Sequence, residues 1–338
     1  MAALCGQRTE LLSPVAREVH QAQRSSDGTL RLLSWNVFLV PQPAKNLHQP
    51  VCRASAMRDI FSSYDVLALQ ETFDRSTTKA LGDSLLTTHP HQLLSLPQGG
   101  YTKLNGGISL LSRYPIISHR VLEYDACHGR WSDCRARRGA ILATIDAPAG
   151  VIDVVVTHLD AGEAVRDHLA RIAQLEQLRA ELDEQGLILN NRPLILLGDM
   201  NIDGVSSRAY NEDGGLTKWA QMLHALGHEG AADHKRGKLP LDLFWVAHAP
   251  WSMTLEATER ANTYACTATS LARCDDTLDR ARYMERARYD YAFWWPAPDR
   301  APSSYHTPSI QHVAFPGDAC GLPYLSDHLA VQVELRSP

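Results

Sequence analysis

A run of four aliphatic residues within residues 193–203 constrains this chain more than any other segment. The run lies between Pro193 and Gly198, which is typical of a short strand buried on both faces. Asp199 and Asn201 follow the glycine two positions apart, so both side chains can point to one side of the strand end. Carboxylate and amide oxygens suit a divalent cation or its bound water, although the tetrapeptide alone fits an Asx turn equally well.

Length and composition indicate a soluble globular protein with a large core. The chain has 338 residues, of which 44% are hydrophobic and 21% are charged, and its formal net charge is -5. That balance lacks the basic footprint of a general nucleic-acid binder, so we expect nucleic acid to be an unlikely partner. Residues 1–29 are mixed and polar and predict a loosely ordered arm, and residues 30–338 predict a single domain.

Targeting signals and cysteines bear on the cellular compartment of the protein. No apolar run approaches the roughly 20 residues of a transmembrane helix, and no signal peptide is evident at the N-terminus. We therefore expect a cytoplasmic protein or export by a non-standard route, with secretion as the alternative. Of the seven cysteines, Cys127 and Cys134 lie close together, as do Cys266 and Cys274. Either pair can form a disulfide in an oxidising compartment, but without a signal peptide we expect reduced thiols.

Polar side chains stand at the ends of several other predicted strands. Asn36 lies near the end of an apolar run at residues 31–38, and Glu71 ends a second run. His158 follows a third run. Further strands are predicted at residues 106–115, 116–124, 140–145, 288–295 and 324–335. Helices are predicted at residues 54–62, 75–86, 165–182 and 216–226.

Each of these residues has an ordinary structural explanation when taken alone. Asn36 can form a side chain–backbone bond, Glu71 can be solvated, and His158 can be a hydrogen-bonded structural histidine. Arg138 belongs to a basic segment after Cys134 that can be a solvated loop or a rim that attracts an anionic phosphodiester. The recurrence at strand ends favours the functional interpretation.

The residue types suit one reaction. Hydrolysis of a phosphodiester needs charge neutralisation on the phosphoryl oxygens, which Mg²⁺ supplies, and an activated water, which a histidine near neutral pKa supplies. A carboxylate on the other ring nitrogen of that histidine fixes its tautomer. No serine or cysteine lies in a nucleophile motif such as Gly-x-Ser-x-Gly, so the sequence predicts direct attack by water.

The ordered set of motifs resembles the endonuclease/exonuclease/phosphatase superfamily across about residues 31–335. The resemblance implies a two-layered α/β sandwich of two mixed β-sheets flanked by helices, which is the DNase I-like fold. It is carried by Ser34-Trp-Asn36, Leu69-Gln-Glu71, Gly106-Gly-Ile, Thr157-His158-Leu, Gly198-Asp-Met-Asn201, Tyr289-Asp290-Tyr and Ser326-Asp327-His328.

Within that superfamily the chain is most similar to the neutral sphingomyelinase branch, a group of phospholipase C-type enzymes. Glu71-Thr-Phe-Asp74 is similar to that branch's Glu-x-Phe-Asp, and the loop at Cys127 followed by Arg138-Gly139 lies where the branch has a cysteine-bearing loop and a basic residue–glycine pair. His158-Leu followed by Val165-Arg166 also fits. The resemblance implies hydrolysis of sphingomyelin, or of a related choline phospholipid, to ceramide and phosphocholine.

The resemblance also implies a role for each matched residue. Glu71 is the principal Mg²⁺ ligand with Asn36 nearby, and Mn²⁺ or Co²⁺ can substitute for Mg²⁺. Asp199 and Asn201 bind metal-linked water and phosphate. His328 is the general base and is oriented by Asp290. Asp327 lies beside the metal. His158 steadies the phosphoryl oxygen or assists the leaving alkoxide.

Substrate residues and partners follow less directly from the resemblance. Trp131, Tyr264 and Trp295 are candidates for an aromatic face that recognises choline, and Arg138 for a contact with phosphate. We expect a monomer that contacts a membrane surface peripherally, although paired tryptophans near a strand are more often core. A nuclease or a soluble inositol-phosphate-type phosphomonoesterase on the same scaffold is the alternative enzyme, and a catalytically inactive binding module is the alternative from another class.

Overall fold

The described part of the chain folds into two mixed β-sheets that pack face to face. The computed structural model describes residues 28–41, 49–98, 104–129, 134–190, 192–204, 215–227, 240–247, 288–295, 308–322 and 324–336. Within them, each sheet has six strands. This is the predicted two-layered α/β sandwich of the DNase I-like type.

The first sheet has the strand order β11-β12-β1-β2-β4-β3. β1 and β2 are parallel, and their neighbours β12 and β4 run antiparallel to them. The strands are β1 Thr29–Leu39, β2 Val66–Thr72, β3 His91–Leu96, β4 Ile108–Ser112, β11 Ser309–Val313 and β12 Ala330–Arg336.

The second sheet has the order β5-β6-β7-β8-β10-β9, and β7 and β8 form its parallel pair. Its strands are β5 Ile116–Glu123, β6 Gly139–Ala147, β7 Gly150–His158, β8 Leu194–Asp199, β9 Leu241–Asp242 and β10 Asp290–Trp295. The helices are α1 Pro50–Phe61, α2 Arg75–Ser84, α3 Val165–Glu184, α4 Lys218–Ala225 and α5 Leu243–Ala247.

Each parallel pair is joined by one crossover helix, giving the units β1-α1-β2 and β7-α3-β8. Parallel neighbours require such a crossover, whereas antiparallel neighbours need only a short turn. In these two units the carboxyl ends of both strands lie at one edge of the sheet, so side chains that follow them are brought together.

The core lies between the sheets and on their two outer faces. Leu32 and Val66 of the first sheet and Val154 and Leu197 of the second belong to one buried cluster between the sheets. Their sequence neighbours point outward, where one cluster packs under α1 and another under α3. Both faces of the central strands are therefore buried, which explains their nearly continuous aliphatic sequences.

The predicted strands and helices are confirmed, but the edge strands β3, β9 and β11 and the short helix α5 were missed. β3 and β11 form the two edges of the first sheet. Their residues are mostly half-buried and mix polar with apolar side chains, so neither shows a clear period. The predicted arm at residues 1–29 lies almost entirely outside the described residues, and Thr29 already belongs to β1.

The expectation of reduced thiols is wrong for four of the cysteines. Cys127 and Cys134 form a disulfide, which was one of the two pairs considered. Cys52 and Cys320 form another across 268 positions of sequence, and sequence proximity could not reveal that pair. The pair Cys266 and Cys274 lies outside the described residues. No helix within the described ranges is both long and apolar enough to cross a bilayer.

Candidate active site

The carboxyl ends of the two parallel pairs meet at one site. In the first pair, Asn36 lies opposite Gln70, and Gln70 directly precedes Glu71. His158 lies opposite Asp199 in the second pair. Asp290 opens β10 directly across from Asp199. The strand-end residues named from the sequence therefore come from both sheets to one edge of the sandwich.

Asn36 joins the two sheets. Its side chain is buried, and its Nδ2 donates to Asp199 Oδ2 at 3.0 Å. The same side chain hydrogen-bonds Glu71. Its Oδ1 accepts from the backbone N–H of Phe38 at 3.2 Å. One amide thus connects an acid of the first sheet with an acid of the second, so the buried polar group predicted to need a partner has several.

Glu71 and Asp327 form an acidic pair on the side of the first sheet. Burial raises the pKa of Glu71 to about 7, and repulsion from Asp327 adds to the shift. Burial also raises the pKa of Asp327. Arg138 and His328 lower the pKa of Glu71, but not enough to offset burial. A half-buried, mutually repelling carboxylate pair is the environment that a bound cation stabilises.

Asp199 is held more tightly than Glu71. It is 1% exposed, and its Oδ1 accepts from the backbone N–H of Asn201 at 2.9 Å. Burial raises its pKa to about 6, and repulsion from Asp290 adds to the shift. Its Oδ2 also lies 3.6 Å from His158 Nε2 and 3.8 Å from His328 Nε2. Asp199 therefore faces both imidazoles of the site.

His328 and Asp290 form the predicted histidine–carboxylate pair. His328 Nδ1 lies 2.8 Å from Asp290 Oδ2. The main chain of His328 is fixed because the Trp35 indole donates to its carbonyl oxygen at 2.9 Å. Burial alone would lower the pKa of His328, but attraction to Asp290 and Asp199 outweighs burial and raises it well above its ordinary value. Asp290 therefore leaves Nε2 directed toward Asp199 and the site.

His158 is buried between Arg138 on one side and Asn201 and Asp199 on the other. Burial lowers its pKa well below the ordinary value, and the charge of Arg138 lowers it further. The Arg138 guanidinium contacts His158 Nδ1. A guanidinium only donates, so Nδ1 is the acceptor in that contact. Nε2 lies 3.2 Å from Asn201 Nδ2 and 3.6 Å from Asp199 Oδ2.

Arg138 is buried rather than placed on an exposed rim. It is 6% exposed, and its guanidinium lies 5.6 Å from the centroid of the Phe73 ring. Phe73 in turn lies 6.5 Å from the His158 ring. Gly107, with φ of 67°, permits this packing because a Cβ at that position would stand 2.5 Å from the Phe73 ring. The glycine pair before β4 thus supports His158.

Glycine at position 198 sets the spacing of the second parallel pair. A Cβ there would stand 2.1 Å from the carbonyl oxygen of Thr157 in the neighbouring strand. Any side chain would push β8 away from β7 and separate His158 from Asp199. The glycine that defined the initial motif is required by this close approach.

Left-handed backbone conformations concentrate at the site. Phe38, Glu71 and Asn201 have φ angles of 50°, 58° and 50°, although none is glycine. Such residues cost about 1–3 kcal/mol each and persist where surrounding contacts hold them. Their clustering beside Asn36 and Asp199 is typical of a functional site.

The residues fit a divalent cation. Glu71, Asp199 and Asp327 are acids whose pKa is raised by burial, and Asn36 adds an amide oxygen. One oxygen each from Asp199 and Asp290 and one nitrogen from His328 also lie within 4.8 Å of one another. Because Asp290 already hydrogen-bonds His328, we assign Asp290 to orienting that histidine rather than to binding a cation. The ligand set of Glu71, Asn36, Asp199, Asn201 and Asp327 stays a prediction.

One of the predicted substrate residues is wrong. Trp295 is 1% exposed, belongs to the core under α3 and pairs with Leu194, at the opposite end of β10 from Asp290. An apolar ring at a strand end far from the site cannot face choline. Trp131 and Tyr264 lie outside the described residues.

Sequence reasoning also missed Arg53. It directly precedes the predicted helix at residues 54–62, and the carbonyl groups of Val37 and Leu325 that it contacts are not evident from the sequence.

The chain belongs to the endonuclease/exonuclease/phosphatase family, whose model matches residues 33–328. It is similar to sphingomyelinase C from Bacillus cereus, with 24% identity over 229 residues that cover 61% of this chain and 66% of the relative, which is just under two thirds of that protein's length.

Two solved structures share the fold. One is beta toxin from Staphylococcus aureus with bound magnesium ions, at a TM-score of 0.66 and 16% identity, covering 91% of this chain and 99% of the toxin chain. The other is D. rerio TDP2 complexed with a single-strand DNA product, at a TM-score of 0.61 and 16% identity, covering 92% and 100%. At these identities the likeness supports the fold alone.

Proposed function

We propose that the protein is a Mg²⁺-dependent phosphodiesterase that hydrolyses sphingomyelin, or a related choline phospholipid, to ceramide and phosphocholine. The observation that carries the proposal is the convergence of Glu71, Asp199 and the Asp290–His328 pair on one buried site. The similarity to sphingomyelinase C supports the choice of lipid. The net charge of -5 favours a lipid over a nucleic acid.

The reaction follows from the two histidines. His328 Nε2 accepts a proton from water as the water oxygen forms a bond to phosphorus and the bond to the ceramide oxygen breaks. Asp290 stabilises the resulting imidazolium through Nδ1. His158 steadies a phosphoryl oxygen from the Asp199 side of the site, and the released alkoxide takes a proton from solvent. Bound Mg²⁺ would supply Lewis-acid neutralisation of the phosphoryl oxygens and would repel the proton on His328.

The test is a substrate panel with and without a chelator. Purified protein with Mg²⁺ is offered sphingomyelin, phosphatidylcholine, lysolipids, plasmid DNA and inositol phosphates. We expect release of phosphocholine from sphingomyelin and loss of turnover on chelation. Turnover of phosphatidylcholine alone would replace sphingomyelin with a glycerophospholipid as the substrate. Metal-independent turnover would contradict the mechanism.

A nuclease is the second candidate, because a protein of this fold is solved with a DNA product. A preference for plasmid DNA over all lipids in the same panel would favour it. Turnover of inositol phosphates alone would favour the phosphomonoesterase alternative, and absence of any metal-dependent turnover would favour the inactive binding module.

The compartment and assembly are further parts of the proposal. The disulfides Cys52–Cys320 and Cys127–Cys134 favour the exported alternative, because the cytoplasm keeps thiols reduced. We propose a monomer that acts at a membrane surface without crossing it. Light scattering and co-sedimentation with sphingomyelin vesicles test these two statements.

A further inference from the structure

Arg53 lies on the first turn of α1 and is fully buried. Its Nη1 donates to the carbonyl oxygens of Val37 and Leu325, both at 2.8 Å. Its Nη2 donates to the carbonyl oxygen of Phe38. A guanidinium offers five donors in a fixed plane, so it holds several carbonyls in one defined arrangement, whereas an ammonium offers three donors without that planar geometry.

The three carbonyls belong to two segments that are far apart in sequence and both lead into the site. Val37 and Phe38 directly follow Asn36, and the left-handed φ of Phe38 turns the chain there. Leu325 directly precedes Ser326-Asp327-His328. Arg53 therefore fixes the segment that carries the Asn36 amide relative to the segment that carries the His328 imidazole.

Other contacts reinforce the same junction. Ser326 Oγ donates to the carbonyl oxygen of Asn36, and Trp35 Nε1 donates to that of His328. The residue before Arg53 is Cys52, whose disulfide to Cys320 ties α1 to the segment that leads into His328. The helix, the end of β1 and the segment before β12 thus form one cross-linked unit.

The charge of Arg53 also acts on the site. Asp327 and Glu71 both attract its guanidinium, which partly offsets the cost of burying that charge. A positive charge near two repelling carboxylates also offsets part of their repulsion.

We propose that Arg53 is a positioning residue that sets the distance between the Asn36–Glu71 side of the site and the Asp327–His328 side. It is fully buried and acts through main-chain carbonyls. The activity readout of this inference rests on the proposed function, whereas its metal-binding readout does not.

The test compares Arg53→Lys with Arg113→Lys. Arg113 is a matched control, since its guanidinium also donates to two carbonyls, those of Ser62 and Tyr64, and to Asp65. It lies on the first sheet just after β4, next to the start of β2 and hence at the end opposite the site. Circular dichroism and urea unfolding establish that each variant is folded and how much stability it loses.

Two readouts distinguish positioning from general stability. Mg²⁺ binding by calorimetry should weaken about 10-fold in Arg53→Lys, and kcat on sphingomyelin should fall about 10-fold to 100-fold with KM within about threefold, as is usual when a supporting contact is lost. Arg113→Lys should leave Mg²⁺ binding and kcat within about twofold at matched folded fraction.

The outcomes separate the possible failures. If Arg53→Lys binds Mg²⁺ and turns over like Arg113→Lys, Arg53 is only structural and the inference is wrong. If the wild type binds Mg²⁺ but does not cleave sphingomyelin, the proposed function fails and calorimetry still tests Arg53. If Arg53→Lys does not fold, Arg53→Gln, which keeps an amide donor without the charge, replaces it, and Mg²⁺ binding and kcat like those of Arg113→Gln would overturn the inference.

Discussion

The units β1-α1-β2 and β7-α3-β8 have the same topology but end in different chemistry. In the first, the strands end near Asn36 and Glu71, and in the second they end at His158 and Asp199. Each unit thus supplies a neutral side chain from its first strand and an acid from its second. The amide of Asn36 bonds both acids and makes the two units one site.

The two acids differ in how much of their bonding capacity the protein already uses. Asp199 is 1% exposed and accepts bonds from Asn36 and from the backbone of Asn201. Glu71 is half-buried and stands in a left-handed conformation beside Asp327. From this difference we propose that Glu71 is a direct cation ligand, while Asp199 mainly organises the histidines.

Removal of the first-unit acid should have the largest effect. We expect Glu71→Gln to lose Mg²⁺ binding by calorimetry and at least about 10³-fold of kcat, because the variant lacks the charge that neutralises the cation. Glu176→Gln, an exposed glutamate on α3, is the control. Wild-type Mg²⁺ affinity in Glu71→Gln would show that Glu71 is not the direct cation ligand.

Removal of the general base should separate binding from chemistry. His328→Ala should lower kcat about 10²-fold to 10⁴-fold while Mg²⁺ affinity stays within a few-fold, because Asp290 and His328 act on the water rather than on the cation. His119→Ala, an exposed histidine on β5, should behave like wild type. An active His328→Ala variant would contradict the assignment.

Removal of the second-unit charge should fall between these effects. Asp199→Asn keeps the shape of the side chain but removes the charge shared by His158 and His328. We expect kcat to fall about 10²-fold and Mg²⁺ affinity to fall less than in Glu71→Gln. If Mg²⁺ affinity drops equally in both variants, the two acids are equivalent ligands and the proposed division of roles is wrong.

The smallest effect lies away from the site and concerns stability. His89 is buried beside the Tyr64 carbonyl, and burial, followed by the charge of Arg113, lowers its pKa to about 4. Between that value and the unfolded value of about 6.5 the unfolded chain binds more protons, so stability is lost as the pH falls. Urea unfolding should show about 2 kcal/mol less stability at pH 5 than at pH 7.5 from this group.

The control for this effect is His89→Asn, which should remove that part of the pH dependence, while His119→Asn should retain it. An unchanged pH profile in His89→Asn would show that the buried imidazole does not contribute. The result would also show whether the first sheet is the pH-sensitive half of the molecule.

The central strands and most site residues could be predicted because they depend on local sequence. Continuous aliphatic runs report burial on both faces, and a polar residue directly after such a run reports a strand end. Asp199 and His158 were found in this way, and their pairing across β7 and β8 confirms the reasoning.

Long-range partners could not be predicted from local patterns. Trp295 was assigned to the substrate because its neighbours say nothing about which end of β10 meets the site. Arg53 and the Cys52–Cys320 pair depend on contacts between residues about 270 positions apart. Spacing along the chain carries no information about such contacts.

The disulfide between Cys52 and Cys320 closes most of the polypeptide into a ring. A protease that cuts once anywhere between these two cysteines therefore leaves a single covalent molecule that still carries Glu71, Asp199 and His328. On a gel, such a nicked molecule would separate into two fragments only after reduction.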